Sequence, residues 1–131
     1  MRVPILKQGV YLIASIQSAL SDKDLLHLRD DLSEQVERHR AKVVVIDITG
    51  VPSVDSTVAN HLVQTVDASR LMGATVIVTG LSSEIAQTLV TIGVDLTKMT
   101  TVGDLQGGIE EAERLLGYKV ILEGPADEGL K

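Results

Sequence analysis

Runs of apolar, β-branched residues predict the strands of this chain. Residues 42–48 include four consecutive β-branched residues, which indicates a strand that is buried on both faces. The stretch 7–9 (Lys-Gln-Gly) is typical of a turn, so the runs on either side of it predict an N-terminal hairpin. The other predicted strands are 3–6, 10–16 and 74–79, and a further short strand is expected near Met99.

Between these runs, apolar residues recur at steps of three and four, which is typical of amphipathic helices. The first helix is predicted from about 22 to about 39, because Ser21 and Asp24 resemble a capping box at its start. Three further helices are predicted. The second helix runs from near Asp55 or Ser56 to near Met72, and the third follows Ser82 and Ser83 and ends at Gly93. The fourth begins near Asp104. The pair Gly107-Gly108 is expected to weaken the last helix.

The order β-β-α-β-α-β-α-(β)-α predicts an α/β fold. We expect a mainly parallel sheet of four to five strands, with an N-terminal antiparallel hairpin and about four helices. The 131 residues fit a single domain. We expect that domain to occupy residues 3–118. Residues 119–131, with their glycine, proline and acidic residues, are expected to form a flexible C-terminal tail.

Composition excludes several classes of chemistry. The chain has no Cys, so it can form neither a disulfide nor a thiolate zinc site, and it has no cysteine nucleophile. Its net charge of -6 and aromatic content of 2% argue against nucleic-acid binding. No apolar run is long enough to span a bilayer, and the N-terminus does not resemble a signal peptide. We therefore expect a soluble, cytoplasmic protein that contacts neither nucleic acid nor membrane.

The common catalytic and nucleotide-binding motifs are absent from the sequence. It contains no G-x-x-x-x-G-K-[ST], no G-x-G-x-x-G and no G-x-S-x-G. His27 and His39 are interpreted as solvated residues of the first helix, as are its carboxylates. His61 follows Ser56 by five residues, which places it well round a helix from the serine. No two His residues have i, i+4 zinc spacing. The sequence therefore predicts a protein that is not an enzyme and that holds neither cofactor nor metal.

The most informative segment is 43–62, in which a buried strand ends in a short turn and Asp55-Ser56-Thr57 then opens a helix. In open α/β sheets, sites usually lie at the carboxyl edge of the strands. One interpretation is structural: Asp55 or Ser56 is the N-cap, and Thr57 fills the first turn. The other is regulatory, because a phosphate at a helix N-terminus meets free N–H groups and the positive end of the helix dipole. Such a phosphate beside Asp55 would repel a docked partner without unfolding the domain.

The order of elements and the strand–Asp-Ser–helix junction resemble a STAS domain, the fold of the anti-sigma-factor antagonists. Within that family, four blocks of sequence resemble the stressosome antagonists of the RsbS type. The blocks are PILKQGVYLIASIQ (4–17), VVVIDITGV (43–51), VDSTVANHL (54–62) and SRLMGATVIVTGL (69–81). The resemblance extends from about residue 3 to about residue 118. The blocks in their order and spacing are far more specific than the Asp-Ser pair alone.

This resemblance implies a role for each residue of the junction. Ser56, which directly follows the junction aspartate Asp55, corresponds to the regulatory phosphoacceptor, and Thr57 is the weaker alternative. Asp55, Thr57 and Asn60 are then expected to flank the acceptor and contact a partner. Antagonists of this type are non-catalytic scaffolds that sequester a switch serine/threonine kinase and release it when the acceptor is phosphorylated.

The resemblance also implies a set of partners. They are a sensor-bearing, RsbR-like STAS paralogue, an RsbT-like switch kinase and an RsbX-like resetting phosphatase, with self-association as a dimer and in a large assembly. The chain has no room for a sensor domain, as expected for the scaffold member. The alternative is a sporulation-type antagonist that binds an anti-sigma kinase directly. Those antagonists carry D-S-S-G, whereas this chain has D-S-T-V at 55–58, a departure that favours the stressosome branch.

Overall fold

The computed structural model describes residues 3–117, apart from the side chain of Lys98, and these residues contain one mixed five-stranded sheet. Its strands are β1 (Ile5–Gln8), β2 (Tyr11–Ser15), β3 (Val43–Asp47), β4 (Thr75–Thr79) and β5 (Thr100–Val102). The strands lie side by side in chain order. β1 is antiparallel to β2, and the other neighbouring strands are parallel. This arrangement confirms the predicted α/β fold with its N-terminal hairpin.

Four α-helices connect the strands or follow them within the described residues. They are α1 (Asp22–His39), α2 (Ser56–Leu71), α3 (Ser83–Thr91) and α4 (Leu105–Leu116). Their bounds agree with the predicted helices to within a few residues. A short 3-10 helix at Leu96–Lys98 lies between α3 and β5, and the sequence pattern did not predict it.

Each helix begins where a side-chain oxygen binds one of the free N–H groups of its first turn. The N-caps of the four α-helices are Ser21, Asp55, Ser82 and Asp104. The predicted capping box of α1 is present, since Asp24 also accepts the N–H of Ser21 at 3.2 Å. That hydrogen bond holds the pKa of Asp24 below its ordinary value. The N-cap of α2 is Asp55 and not Ser56, so the serine is the first residue inside the helix.

The sheet separates two hydrophobic cores, and β3 contributes to both. Val44 and Ile46 face the core that is formed with α1, α2 and α3, whereas Val43 and Val45 face the core under α4. All five residues of β3 are buried. The alternation of side chains along a strand therefore places one half of the run in each core, as the unbroken apolar sequence predicts.

The hairpin turn lies further along the chain than predicted. Lys7 and Gln8 pair with Leu12 and Tyr11 as part of β1, so that the turn is at residues 9–10 rather than 7–9. β1 is an edge strand, and its last three residues are exposed. Because an exposed edge tolerates polar side chains, Lys7 and Gln8 have the composition of a turn although they are in a strand.

The glycine pair of α4 allows the helix to lie close to the sheet. A Cβ added at Gly108 would overlap Cγ2 of Thr79 and would lie 3.3 Å from Cγ1 of Val45. Thr79 is fully buried and has no room to move away. The low helix propensity of this pair is therefore offset by close packing of α4 on β3 and β4.

Two of the sequence predictions concern the ends of the chain and its relation to membranes. The boundary at 118 and the tail at 119–131 lie outside the described residues. Among the helices within residues 3–117, none has both the length and the apolar character that a membrane crossing requires.

We predict that Gly108→Ala destabilises the domain although alanine is the better helix former. The added methyl would overpack the contact with Thr79, and such overpacking costs about 1–3 kcal/mol. Gly103→Ala is the matched control, because nothing lies within 4 Å of a Cβ at that position. Urea unfolding of the two variants measures the difference. Equal stability of both variants would contradict the close packing.

Candidate functional site

Ser56 is the first residue of α2, and it follows the loop that leaves the carboxyl end of β3. Its N-cap neighbour Asp55 is extended, with φ -90° and ψ 178°, and its Oδ1 accepts the N–H of Val58 at 2.8 Å. The carbonyl oxygen of Asp55 accepts the N–H of Ala59 at 2.9 Å. Asp55 therefore fixes the direction in which α2 begins, while Ser56 itself is exposed.

The first turn of α2 has the properties of an anion site. Asp55 binds the N–H of Val58, but the N–H groups of Ser56 and Thr57 have no hydrogen-bond partner within residues 3–117. Free N–H groups and the positive end of the helix dipole favour negative charge at this point. An oxyanion attached to the Ser56 hydroxyl would therefore lie close to two unpaired donors.

A buried hydrogen-bond cluster anchors the start of the loop that carries Ser56. Asp47, the last residue of β3, is buried, and its Oδ1 accepts the hydroxyls of Thr49 and Thr79 at 2.7 Å each. The N–H of Ile48 also binds the carbonyl oxygen of Thr79 at 2.9 Å. The loop is thus fixed to β4 at the point where it leaves the sheet. Sequence reasoning did not identify Asp47, whose only signal was an acidic residue within an otherwise apolar run.

The middle of the loop packs closely on the segment that joins β2 to α1. A Cβ at Gly50 would lie 2.7 Å from the carbonyl oxygen of Gln17, so this approach needs glycine. Val51 and Val54 help to line a small cavity of about 20 Å³ with Leu25 and Leu62, and its lining is entirely apolar. The cavity is far below the roughly 300 Å³ of a ligand site. The loop therefore has an apolar base that directs Asp55 and Ser56 towards solvent.

The remaining predicted contact residues lie on the exposed surface beside Ser56. Thr57 is exposed in the first turn, and Asn60 is exposed one turn further along α2, at i+4 from Ser56. Asp55, Ser56, Thr57 and Asn60 therefore form a continuous polar surface at the beginning of α2, which we call the Ser56 surface. The structure places these four residues side by side at the exposed start of α2.

The other titratable residues singled out in the sequence do not join this surface. His61 Nε2 lies 4.0 Å from Oδ1 of Asp22, at the contact between α1 and α2. His27 and His39 are half-buried on α1. No group of three His, Cys, Asp or Glu residues with the geometry of a metal site occurs within residues 3–117.

Comparison with known proteins agrees with this architecture. Residues 3–105 match the STAS domain family. The RsbT co-antagonist protein RsbRA of Bacillus subtilis is 43% identical over 97 residues, a region that makes up 74% of this chain and 35% of that protein. A second co-antagonist of that organism, RsbRD, is 35% identical, and the chain spans 26% of it. The chain thus spans little more than a third of the length of RsbRA and less of RsbRD.

Solved structures show the same likeness over a larger share of each chain. A serine-to-glutamate variant of RsbS from Moorella thermoacetica superposes with a TM-score of 0.77 and 30% identity, and the match covers 87% of this chain and 97% of that chain. A chain from a solved structure that describes the molecular architecture of the stressosome superposes with a TM-score of 0.75 and 30% identity. The match covers 86% of this chain and 98% of that chain. The chain belongs to the STAS-domain family of anti-sigma-factor antagonists, a non-catalytic family, and within it is similar to proteins of the RsbS and RsbR types.

Proposed function

We propose that this protein is an RsbS-type scaffold of a stressosome that is switched by phosphorylation of Ser56. The unphosphorylated Ser56 surface binds an RsbT-like switch kinase and keeps it from its downstream target. Phosphorylation of Ser56 releases the kinase, and an RsbX-like phosphatase restores the binding state. The scaffold assembles with a sensor-bearing, RsbR-like paralogue, and it acts in the cytoplasm without contacting nucleic acid or membrane.

The observation that carries this proposal is the position of Ser56 as an exposed hydroxyl on the first turn of α2. Its own N–H and that of Thr57 are unpaired within residues 3–117. A phosphate on Ser56 therefore gains donors and a favourable dipole, which are worth about 0.3–1 kcal/mol in an exposed position. Thr57 is exposed as well and is the weaker candidate for the acceptor.

The same phosphate would oppose a partner docked on the Ser56 surface. It adds a charge of about -1.5 to -2 beside the carboxylate of Asp55. In the free protein, water screens the repulsion between these groups. In a complex the contact excludes water, so a partner that binds Asp55 and Asn60 meets a dense negative charge that it must desolvate. Modification therefore changes binding far more than it changes the fold.

The likenesses within the family support the RsbS role in one respect and the RsbR role in another. The match with RsbS covers 97% of that chain, whereas the match with RsbRA covers 35% of that protein. The identity is nevertheless higher with RsbRA, at 43% against 30%. An RsbR-type co-antagonist is therefore the second candidate. Mixing the purified protein with an RsbT-like kinase alone separates the two roles, because a scaffold captures the kinase unaided and a co-antagonist needs a second STAS protein.

We predict that an RsbT-like kinase with ATP modifies Ser56. Phosphopeptide mass spectrometry should find the phosphate on Ser56 in the wild-type chain and in Thr57→Val. Ser56→Ala should abolish modification of the junction peptide. Phosphate on Thr57 in the wild type, with Ser56 unmodified by an active kinase, would show that the acceptor is assigned to the wrong residue.

We also predict that Ser56→Asp weakens kinase binding by at least about tenfold, because it adds a negative charge within the contact. Ser56→Ala should bind as the wild type does. Both variants should unfold within about 1 kcal/mol of the wild type, since substitutions at exposed first-turn positions have small effects. Isothermal titration calorimetry and urea unfolding provide the two measurements.

Asp55→Ala is the control for the stability of the cap, because it removes the capping oxygen together with the charge. It removes the bond to the Val58 N–H and should cost about 1 kcal/mol of stability. Equal affinity of Ser56→Ala and Ser56→Asp for the kinase would contradict the switch. A loss of affinity in Ser56→Asp that only follows unfolding of the protein would contradict it as well.

A further inference from the structure

Thr79 is the last residue of β4, and it binds the neighbouring strand at the point where the chain leaves the sheet. Its hydroxyl donates a hydrogen bond of 2.7 Å to Oδ1 of Asp47. Its carbonyl oxygen accepts the N–H of Ile48 at 2.9 Å. The side chain and the backbone of this one residue therefore fix the end of β3 and the first residue after it.

The two hydroxyls that bind Asp47 differ in their access to water. Thr79 is fully buried, whereas Thr49, which donates to the same carboxylate oxygen at 2.7 Å, is exposed. Water can replace the hydrogen bond of an exposed hydroxyl, but it does not reach a buried one. Asp47 is itself only 5% exposed, so loss of the Thr79 hydroxyl would leave its carboxylate short of a donor. The buried side of this cluster therefore depends on Thr79.

Packing against α4 directs the hydroxyl of Thr79 towards Asp47. A Cβ added at Gly108 would overlap Cγ2 of Thr79, so this methyl group lies directly against the backbone of the helix. The methyl group and the hydroxyl are attached to the same Cβ, and a buried β-branched side chain is stiff at χ1. The contact that holds the methyl group on α4 therefore also holds the hydroxyl on the carboxylate.

Thr49 extends this constraint from the carboxylate of Asp47 into the loop. A Cβ at Gly80 would overlap Oγ1 of Thr49 and would lie 2.7 Å from its backbone nitrogen. Thr49 therefore packs on the backbone of Gly80, the residue that follows β4, while its hydroxyl binds Asp47. The first residues of the loop are thus held between two strands.

The part of the loop next to Ser56 has few hydrogen bonds of its own. Val51 donates its N–H to the carbonyl oxygen of Ile48 at 3.0 Å, which closes a turn. The N–H groups at positions 53–55 have no hydrogen-bond partner within residues 3–117. The position of Ser56 therefore depends on the anchored start of the loop and on the apolar side chains at its base.

We propose that Thr79 is a positioning residue for Ser56. Its hydroxyl holds Asp47 and the start of the loop, and it thereby keeps the Ser56 surface in the arrangement that the switch kinase binds. This inference rests on the proposed function, since it concerns how the same kinase recognises Ser56. Without the hydroxyl the loop takes several positions, and the kinase binds only a fraction of them. The apparent affinity falls in proportion to that fraction, whereas phosphoryl transfer within the bound complex is unchanged.

Two substitutions of Thr79 separate its hydroxyl from its packing. Thr79→Val keeps the shape of the side chain and removes the hydroxyl, whereas Thr79→Ser keeps the hydroxyl and removes the methyl group that packs on Gly108. If Thr79 served only to fill space, the serine would be the more harmful replacement. We expect the opposite order, because the hydroxyl is what holds the loop.

Steady-state phosphorylation of Ser56 by the RsbT-like kinase measures the effect on recognition. Thr79→Val should raise the KM for the protein substrate by about tenfold and leave kcat within about twofold of the wild-type value. Thr79→Ser should have a KM within about twofold of the wild-type value, although its packing is poorer.

Thr65→Val is the matched control. Thr65 is also buried, but its hydroxyl binds the carbonyl oxygen of His61 in its own helix, at 3.0 Å. The same replacement therefore removes a buried hydroxyl without releasing the loop. Thr65→Val should have the KM of the wild type.

Amide hydrogen exchange of the free protein tests the positioning without a kinase. In Thr79→Val the amides of Ile48 and Val51 should exchange at least about fivefold faster than in the wild type, because the loop opens more often. The amides of α4 should keep their protection, since the domain as a whole stays folded. In Thr79→Ser the amides of Ile48 and Val51 should stay protected as well.

Three results would overturn the proposal while Ser56 of the wild type is phosphorylated normally. They are an unchanged KM in Thr79→Val, unchanged exchange of Ile48 and Val51 in that variant, and an equal rise of KM in Thr79→Ser or Thr65→Val. If an active kinase does not modify Ser56 even in the wild type, the proposed function fails and the role of Thr79 in recognition fails with it. The two failures are therefore distinguished by the wild-type protein.

Discussion

Burial of β3 on both faces is the constraint on which the rest of the structure depends. Val43 and Val45 face the core under α4, and Val44 and Ile46 face the core of the other helices. The strand has no solvent-facing side, so a shift in its register would move both cores at once. The chain must therefore leave the sheet at Asp47, where the hydroxyls of Thr49 and Thr79 hold the carboxylate. This fixed exit determines where α2 begins.

The loop after β3 is fixed where it leaves the sheet, and the N-terminus of α2 is exposed. These two features suit a surface whose binding to a partner depends on its charge. The helix dipole and free N–H groups favour a phosphate on Ser56 by about 0.3–1 kcal/mol. Its repulsion with Asp55 in water is about 1 kcal/mol per pair of unit charges at 4 Å, so a phosphate of charge about -1.5 to -2 is opposed by about 1.5–2 kcal/mol. The net cost in the free protein is therefore about 1 kcal/mol, which the fold tolerates. Beneath a partner, where water is excluded, the cost of an unpaired charge rises to several kcal/mol.

Local patterns in the sequence predicted most of the fold. The β-branched run of β3 and the Ser21–Asp24 capping box depend on neighbouring residues, and both predictions were confirmed. The bond between Asp47 and Thr79 joins residues 32 positions apart, and no local pattern reveals it. The close packing of Gly108 on Thr79 is also a tertiary contact, so the sequence showed only its cost to the helix. The end of β1 was predicted to be a turn, and that prediction was wrong. An exposed edge strand carries polar side chains, as a turn does.

The central claim is that phosphate on Ser56 changes the Ser56 surface while the fold below it stays the same. The most direct measurement compares ¹H–¹⁵N correlation spectra of the protein before and after stoichiometric phosphorylation. The account predicts shifts at the amides of Ser56 and Thr57 and within the loop and first turn of α2, with the amides of β3 and β4 unchanged. Shifts that spread through these strands, or a loss of dispersion across the spectrum, would contradict it.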